Sequence, residues 1–88
     1  MNNNIDDEEY FKNWAEQYYD SARNINEKIK IKKEQRKNIY DNNKIAIIDN
    51  DISILTESYY DCMETARILL TKANRERCKK IRKNENGW

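Results

Sequence analysis

The chain has no His, no Pro and no Val, and its single Gly, Gly87, stands next to the last of 88 residues. Without imidazole there is no Ser-His or Cys-His nucleophile pair, no histidine metal ligand, and no side chain that titrates near neutrality in its ordinary state. One glycine at the extreme end rules out a glycine-rich phosphate loop. No apolar run approaches the roughly 18 residues of a membrane span, and no basic-then-apolar leader opens the sequence. These absences set the expectation of a non-enzymatic, soluble, cytoplasmic protein with no cofactor, no metal and no membrane partner.

Cysteine is also scarce. Cys62 and Cys78 have no further sulfur or imidazole near them, too few ligands for a structural zinc site, and nothing marks a secreted disulfide framework. Both are read as reduced thiols.

What is present is charge, isoleucine and tyrosine. Seventeen Lys and Arg against sixteen Asp and Glu leave a net charge of +1, so partners must be sought in local patches. Near-zero net charge, six Tyr and two Trp favour a folded chain over a disordered one. Asn, Ile and Lys supply 36 of the 88 residues, the bias of an AT-rich coding sequence, which points to a low-GC bacterium or its phage.

Asp6, Asp7, Glu8 and Glu9 have the acidity of a first helical turn, which complements its unbonded amides. From there apolar positions recur in fours and threes: Phe11, Ala15, Tyr18, Ala22, Ile25 and Ile29, continuing through Lys32 and Arg36 to Ile39. Residues 40–44 (YDNNK) break the pattern with Asp and Asn, which cap helices and tolerate left-handed backbone. The turn is placed at 41–43. A second series then runs Ile45, Ile48, Ile52, Leu55, Tyr59, Cys62, Ala66, Leu69 and Ala73, with nothing to stop a helix before Gly87. The segment IAIIDNDIS at 45–53 is read as part of that helix, with an extended stretch or a second cap as its alternative. The whole chain, 1–88, is thus one all-α domain, an antiparallel hairpin of two long helices, with 1–5 and 84–88 frayed.

Charge in blocks specifies how the helices pair. Residues 6–20 carry −5, 21–44 carry +5, 45–66 carry −5 and 67–83 carry +7. Folding at residue 42 lays every negative block beside a positive one, whereas a parallel pairing would set like on like. Surface ion pairs contribute only tenths of a kcal/mol each, so the pattern selects the topology and does not hold it together. The same fold point pairs Phe11 with Ala73, Tyr18 with Ala66, Ala22 with Cys62 and Ile29 with Leu55.

Trp14, Tyr19, Ile47, Ile54, Tyr60, Met63, Ile68 and Leu70 fall outside the seam and widen each apolar stripe. Stripes of that width call for a second hairpin, so a homodimeric four-helix bundle is expected.

Three features bear on function. Glu-x-Tyr-Tyr-Asp occurs at 16–20 and at 57–61, either as two similar core layers or as the mark of a rim. In the second reading Tyr19 and Tyr60 join Trp14 as aromatic anchors for a protein partner, since a tyrosine has one apolar end and one wet end. The basic run Arg75, Arg77, Lys79, Lys80, Arg82 and Lys83 is either the solvated, dipole-favoured end of the second helix or a site for the phosphates of a nucleic acid or small nucleotide. Lys32 and Arg36 on the seam are long side chains lying along its edge, a polar specificity layer, or the lining of an anion pocket.

The run WAEQYYDSA at 14–22, the Lys-rich helix after it and Tyr59-Tyr60-Asp61-Cys62 resemble small uncharacterised helical-hairpin proteins of phages and conjugative elements in low-GC Firmicutes. The resemblance implies a helical, cytosolic accessory protein and carries no functional residues with it. The secreted WXG hairpins are excluded, because residues 40–44 contain neither Trp nor Gly.

Overall fold

The computed structural model describes the backbone of residues 6–86 and the side chains of 6–82. Two helices, α1 (Asp7–Arg36) and α2 (Asn42–Asn86), account for nearly all of it, with no strand among the described residues. They lie side by side as an antiparallel hairpin measuring 71 × 25 × 14 Å. The expected fraying of 1–5 and of 87–88 lies outside the described residues, whereas the backbone of 84–86, also expected to fray, is the last stretch of α2.

Each helix starts on an aspartate. Asp6 has extended backbone and its carboxylate accepts from the Glu9 amide at 2.9 Å, while Asp7, Glu8 and Glu9 place negative charge on the positive end of the helix. Asp41 does the same for α2, accepting from the amides of Asn43 at 2.8 Å and Lys44 at 3.2 Å. No described residue has positive φ, so the Asp and Asn residues of the turn act as caps and not as left-handed corners.

The turn differs from expectation at one side. α1 stops at Arg36, three residues before Ile39, and the connection is 37–41 rather than 41–43. Three successive short-range bonds, Lys37 amide to Glu34 carbonyl, Asn38 to Gln35 and Ile39 to Arg36, tighten the last turn and end it. Asn38, β-branched Ile39 and aromatic Tyr40 are weak helix formers, and Asp41 gains more by capping α2 than by extending α1. Ile39 remains half-buried beyond the helix end, whereas Tyr40 is 87% exposed. Residues 45–53 are helical, so the extended alternative is excluded, and α2 runs on to Asn86.

All nine apolar seam positions of α2 are buried or half-buried, as are those of α1 from Phe11 to Ile29. The buried set is small in volume: four alanines (Ala15, Ala22, Ala66, Ala73) with Ile29, Ile48 and Leu69. Small residues allow close approach of the helices, and Phe11, Tyr18, Tyr19 and Leu70 cover the layer built on Ala15, Ala66 and Leu69.

The ion pairs between the helices follow the block pattern. Lys32 reaches Asp51 at 3.2 Å and Arg36 reaches Asp49 at 2.6 Å, joining the basic half of α1 to the acidic half of α2. At the open end Lys80 stands 2.8 Å from both Asp6 and Glu8. Each pair straddles the turn about a point near residue 42, drifting by a residue or two at the open end.

Candidate interaction surfaces

A helix turns about 100° per residue, so residues on either side of the seam lie on opposite broad flanks of the hairpin. Trp14 and Tyr19 straddle Ala15 and Tyr18 in this way. Trp14 shares a groove with Gln17, Tyr18 and Ser21, and its ring lies 5.6 Å from that of Tyr10. Tyr10 in turn meets Phe11, over whose ring the Lys72 ammonium stands at 5.8 Å. Lys72 and its neighbour one turn earlier, Ile68, therefore belong to the same flank as Trp14. Near the turn, the Lys32–Asp51 pair sets Ile31 at the same level of the hairpin, and on the same flank, as Ile47 and Ile54, which lie one turn to either side of Asp51.

The opposite flank is built on Tyr19. It packs with Leu70 on the Ala15, Ala66 and Leu69 layer, and beside it a groove opens between Glu8, Lys12, Glu16 and Leu70. Met63 and Tyr60 follow on the same side of α2. Tyr60 is 65% exposed, with its ring 5.4 Å from that of Tyr59.

The three expected anchors are thus not one rim. Trp14 lies on one flank, and Tyr19 with Tyr60 on the other. The Glu-x-Tyr-Tyr-Asp repeat explains part of this: its first tyrosines, Tyr18 and Tyr59, both sit in the seam, while Tyr19 is half-buried and Tyr60 is turned further out. Neither the repeat nor the spacing revealed Tyr10 and Ile31 as exposed apolar residues, although both fall on the Trp14 side by helical count.

The basic run is divided as well. Arg75, Lys79 and Arg82 line one groove on α2 with Thr71, Asn74 and Cys78. Arg77 points elsewhere, and Lys80 is held by Asp6 and Glu8, whose hydrogen bonds keep its ammonium protonated well above the usual lysine range. The side chain of Lys83 lies outside the described residues. Lys79 is paired with Glu76 at 3.0 Å, and among the described residues no carboxylate stands within ion-pair distance of Arg75 or Arg77.

Lys32 and Arg36 are occupied by aspartates. The Arg36 guanidinium contacts both oxygens of Asp49, which lowers the Asp49 pKa and raises its own. Their charge is spent between the helices, in the manner of a polar layer that sets partner and register. Cys62 is half-buried in the seam and Cys78 exposed on α2, and both are free thiols.

Among the described residues no group of carboxylates and thiols is arranged to hold a metal ion, and no helix is long and apolar enough to cross a membrane. Comparison with protein-family models, curated proteins and solved structures finds no match to this chain.

Proposed function

We propose that the protein is a non-enzymatic interaction module, a helical hairpin that dimerises into a four-helix bundle and presents a charged, Tyr-bearing surface to another protein, as a phage or mobile-element accessory factor or inhibitor would. The observation that carries this reading is surface left over. The chain exposes 7100 Å² for its 10.7 kDa. A compact monomer of that mass exposes about 5,500 Å². The excess is of the size that a stable protein interface removes from solvent, roughly 800 Å² or more per partner. Among the described residues nine large apolar side chains contribute to it, while the core holds no large side chain that is fully buried.

Native mass spectrometry of the protein as purified from cells tests this reading directly. A dimer, alone or with a second protein, is the expected species. A monomer that binds nothing in pull-downs, and whose Trp14→Ala, Tyr19→Ala and Tyr60→Ala variants behave as the parent does, would remove the reading.

The groove between Arg75, Lys79 and Arg82 favours a second one, a phosphate-binding module for nucleic acid or a small nucleotide. Three cations with Thr71 and Asn74 beside them supply both charge and hydrogen-bond donors. Affinity for a labelled oligonucleotide or for ATP should then fall steeply with salt. Binding that ignores ionic strength, or that survives Arg75→Ala with Arg82→Ala, excludes it.

A further inference from the structure

We infer that the second copy packs on the flank carrying Tyr10, Trp14, Ile31, Ile47, Ile54 and Ile68, with both turns at the same end of the bundle, an assignment that rests on the dimeric reading above.

The choice of flank follows from where the exposed apolar surface lies. Among the described residues six of the nine exposed large hydrophobics are on the Trp14 flank; of the others, Tyr60 and Ile81 are on the Tyr19 side and Tyr40 is in the turn. The apolar residues nearest the seam on the Tyr19 side, Tyr19, Met63 and Leu70, are already half-buried within the chain. The Tyr19 side carries Lys12, Glu16, Arg23 and Arg67 and the Trp14 flank Lys28, Asp61 and Lys72, so it is the exposed apolar surface and not charge that separates the two flanks.

The topology follows from how that surface is distributed along the hairpin. Ile31, Ile47 and Ile54 form one patch near the turn, and Tyr10, Trp14 and Ile68 another toward the open end. Between them the flank is polar, with Gln17, Ser21 and Lys28 on α1 and Ser58, Asp61 and Thr65 on α2. Two identical flanks can meet face to face about a twofold axis in either of two directions. With the axis along the bundle, α1 of one copy lies antiparallel on α2 of the other at the same level. Ile31 then meets Ile47 and Ile54 of the second copy, Tyr10 and Trp14 meet its Ile68, and Lys28 faces the carboxylates of its α2. The contact repeats the block pairing used inside each chain, −5 beside +7 and +5 beside −5.

With the axis across the bundle, α1 lies on α1 and α2 on α2, and the turns point apart. The charge blocks still alternate, so they do not separate the two arrangements. The side chains do. Superposing the apolar patches puts the dyad beside Asp61, so two Asp61 carboxylates meet at the centre. Like charges brought together at the centre of an interface make this the unfavourable choice. In the favoured arrangement both Tyr19 flanks face outward, so the dimer offers two equal sites and binds a second protein with 2:2 stoichiometry.

The test combines a distance with a pair of substitutions. A nitroxide placed by Asn43→Cys, in a chain also carrying Cys62→Ala and Cys78→Ser, reports the separation of the two turns by pulsed electron resonance. Turns at the same end give roughly 20–30 Å, two to three interhelical spacings. Turns at opposite ends give a separation close to the 71 Å length of the hairpin and overturn the topology. In the otherwise native chain, Ile54→Asp and Ile68→Asp should each weaken self-association at least about tenfold by sedimentation, with helicity retained, and Tyr60→Asp should leave it unchanged. Dimerisation lost in Tyr60→Asp but kept in both isoleucine variants moves the interface to the other flank and leaves the dimeric reading standing. A parent chain that sediments as a monomer at micromolar concentration overturns both.

Discussion

Lys80 closes the open end of the hairpin on Asp6, 74 residues earlier in the chain: its ammonium donates to Asp6 Oδ2 at 2.8 Å. The carboxylate it holds is the cap of α1, whose other oxygen accepts from the Glu9 amide. One cation thus joins the first residue of α1's capping turn to the far end of α2.

A pH dependence follows. The hydrogen bond from Lys80 is the main reason the Asp6 and Glu8 carboxyls titrate below their ordinary values of 3.8 and 4.5, and the one from Arg36 does the same for Asp49. A carboxyl depressed in the folded state contributes stability above its unfolded pKa, and that contribution is lost as pH falls through the folded value. Thermal melts followed by circular dichroism should be flat from neutrality to about pH 5 and fall below pH 4. Lys80→Met should lower the neutral plateau and flatten the acid limb, the two melting curves converging at low pH, and a plateau and limb unchanged from the parent would show that Asp6 and Glu8 are not held in solution.

Ala15 and Ala66, 1% and 0% exposed, form the tightest layer of the seam with Leu69. There is no space there for a branched side chain. Ala66→Leu should cost about 1–3 kcal/mol by urea denaturation, through overpacking that forces the helices apart. A neutral outcome would mean that the helices do not approach closely at this level.

Asp41 satisfies two amides at the start of α2. Asp41→Ala should destabilise the chain by about 1 kcal/mol and Asp41→Asn by much less, since Asn keeps the accepting oxygen. Equal losses for the two variants would place the role of Asp41 in its charge instead.

The cross-helix pairs near the turn allow a charge swap. Asp49→Lys with Asp51→Lys should lower Tm, and adding Lys32→Glu with Arg36→Glu should recover most of the loss. The side chains of these pairs are 36–49% exposed, so raising the salt concentration should shrink both effects. Failure of the fourfold variant to recover would show that side-chain packing at Lys32 and Arg36, and not charge, sets the layer.

Much of the architecture was legible in the residues because a helical seam and alternating charge blocks both repeat along the chain. Phe11 to Ile29 and Ile45 to Ala73 could be counted, and the pairing direction could be read from charge sign. The end of α1 could not. The seam spacing continues smoothly to Ile39, and only the competition between extending α1 and capping α2 at Asp41 decides where it stops. Surfaces were less legible for a related reason. Trp14 and Tyr19 are both one step off the seam in sequence, but the steps go in opposite directions around the helix. The basic run likewise reads as one feature in sequence, yet alternate residues leave α2 on different sides, so Arg75, Lys79 and Arg82 share a groove that Arg77 and Lys80 do not.

The connection at 37–41 is five residues long, and the amides of Lys37, Asn38 and Ile39 donate back to the carbonyls of Glu34, Gln35 and Arg36 in the last turn of α1. Closing so short a loop costs little chain entropy, and once Arg36 has met Asp49 each further layer is brought into register by the one before it. The hairpin should therefore assemble as a zipper that starts at its turn. Substitutions at Asp41 or Ile48 would then slow folding, whereas those at Ala73 or Lys80 would chiefly hasten unfolding, since the open end closes last and parts first.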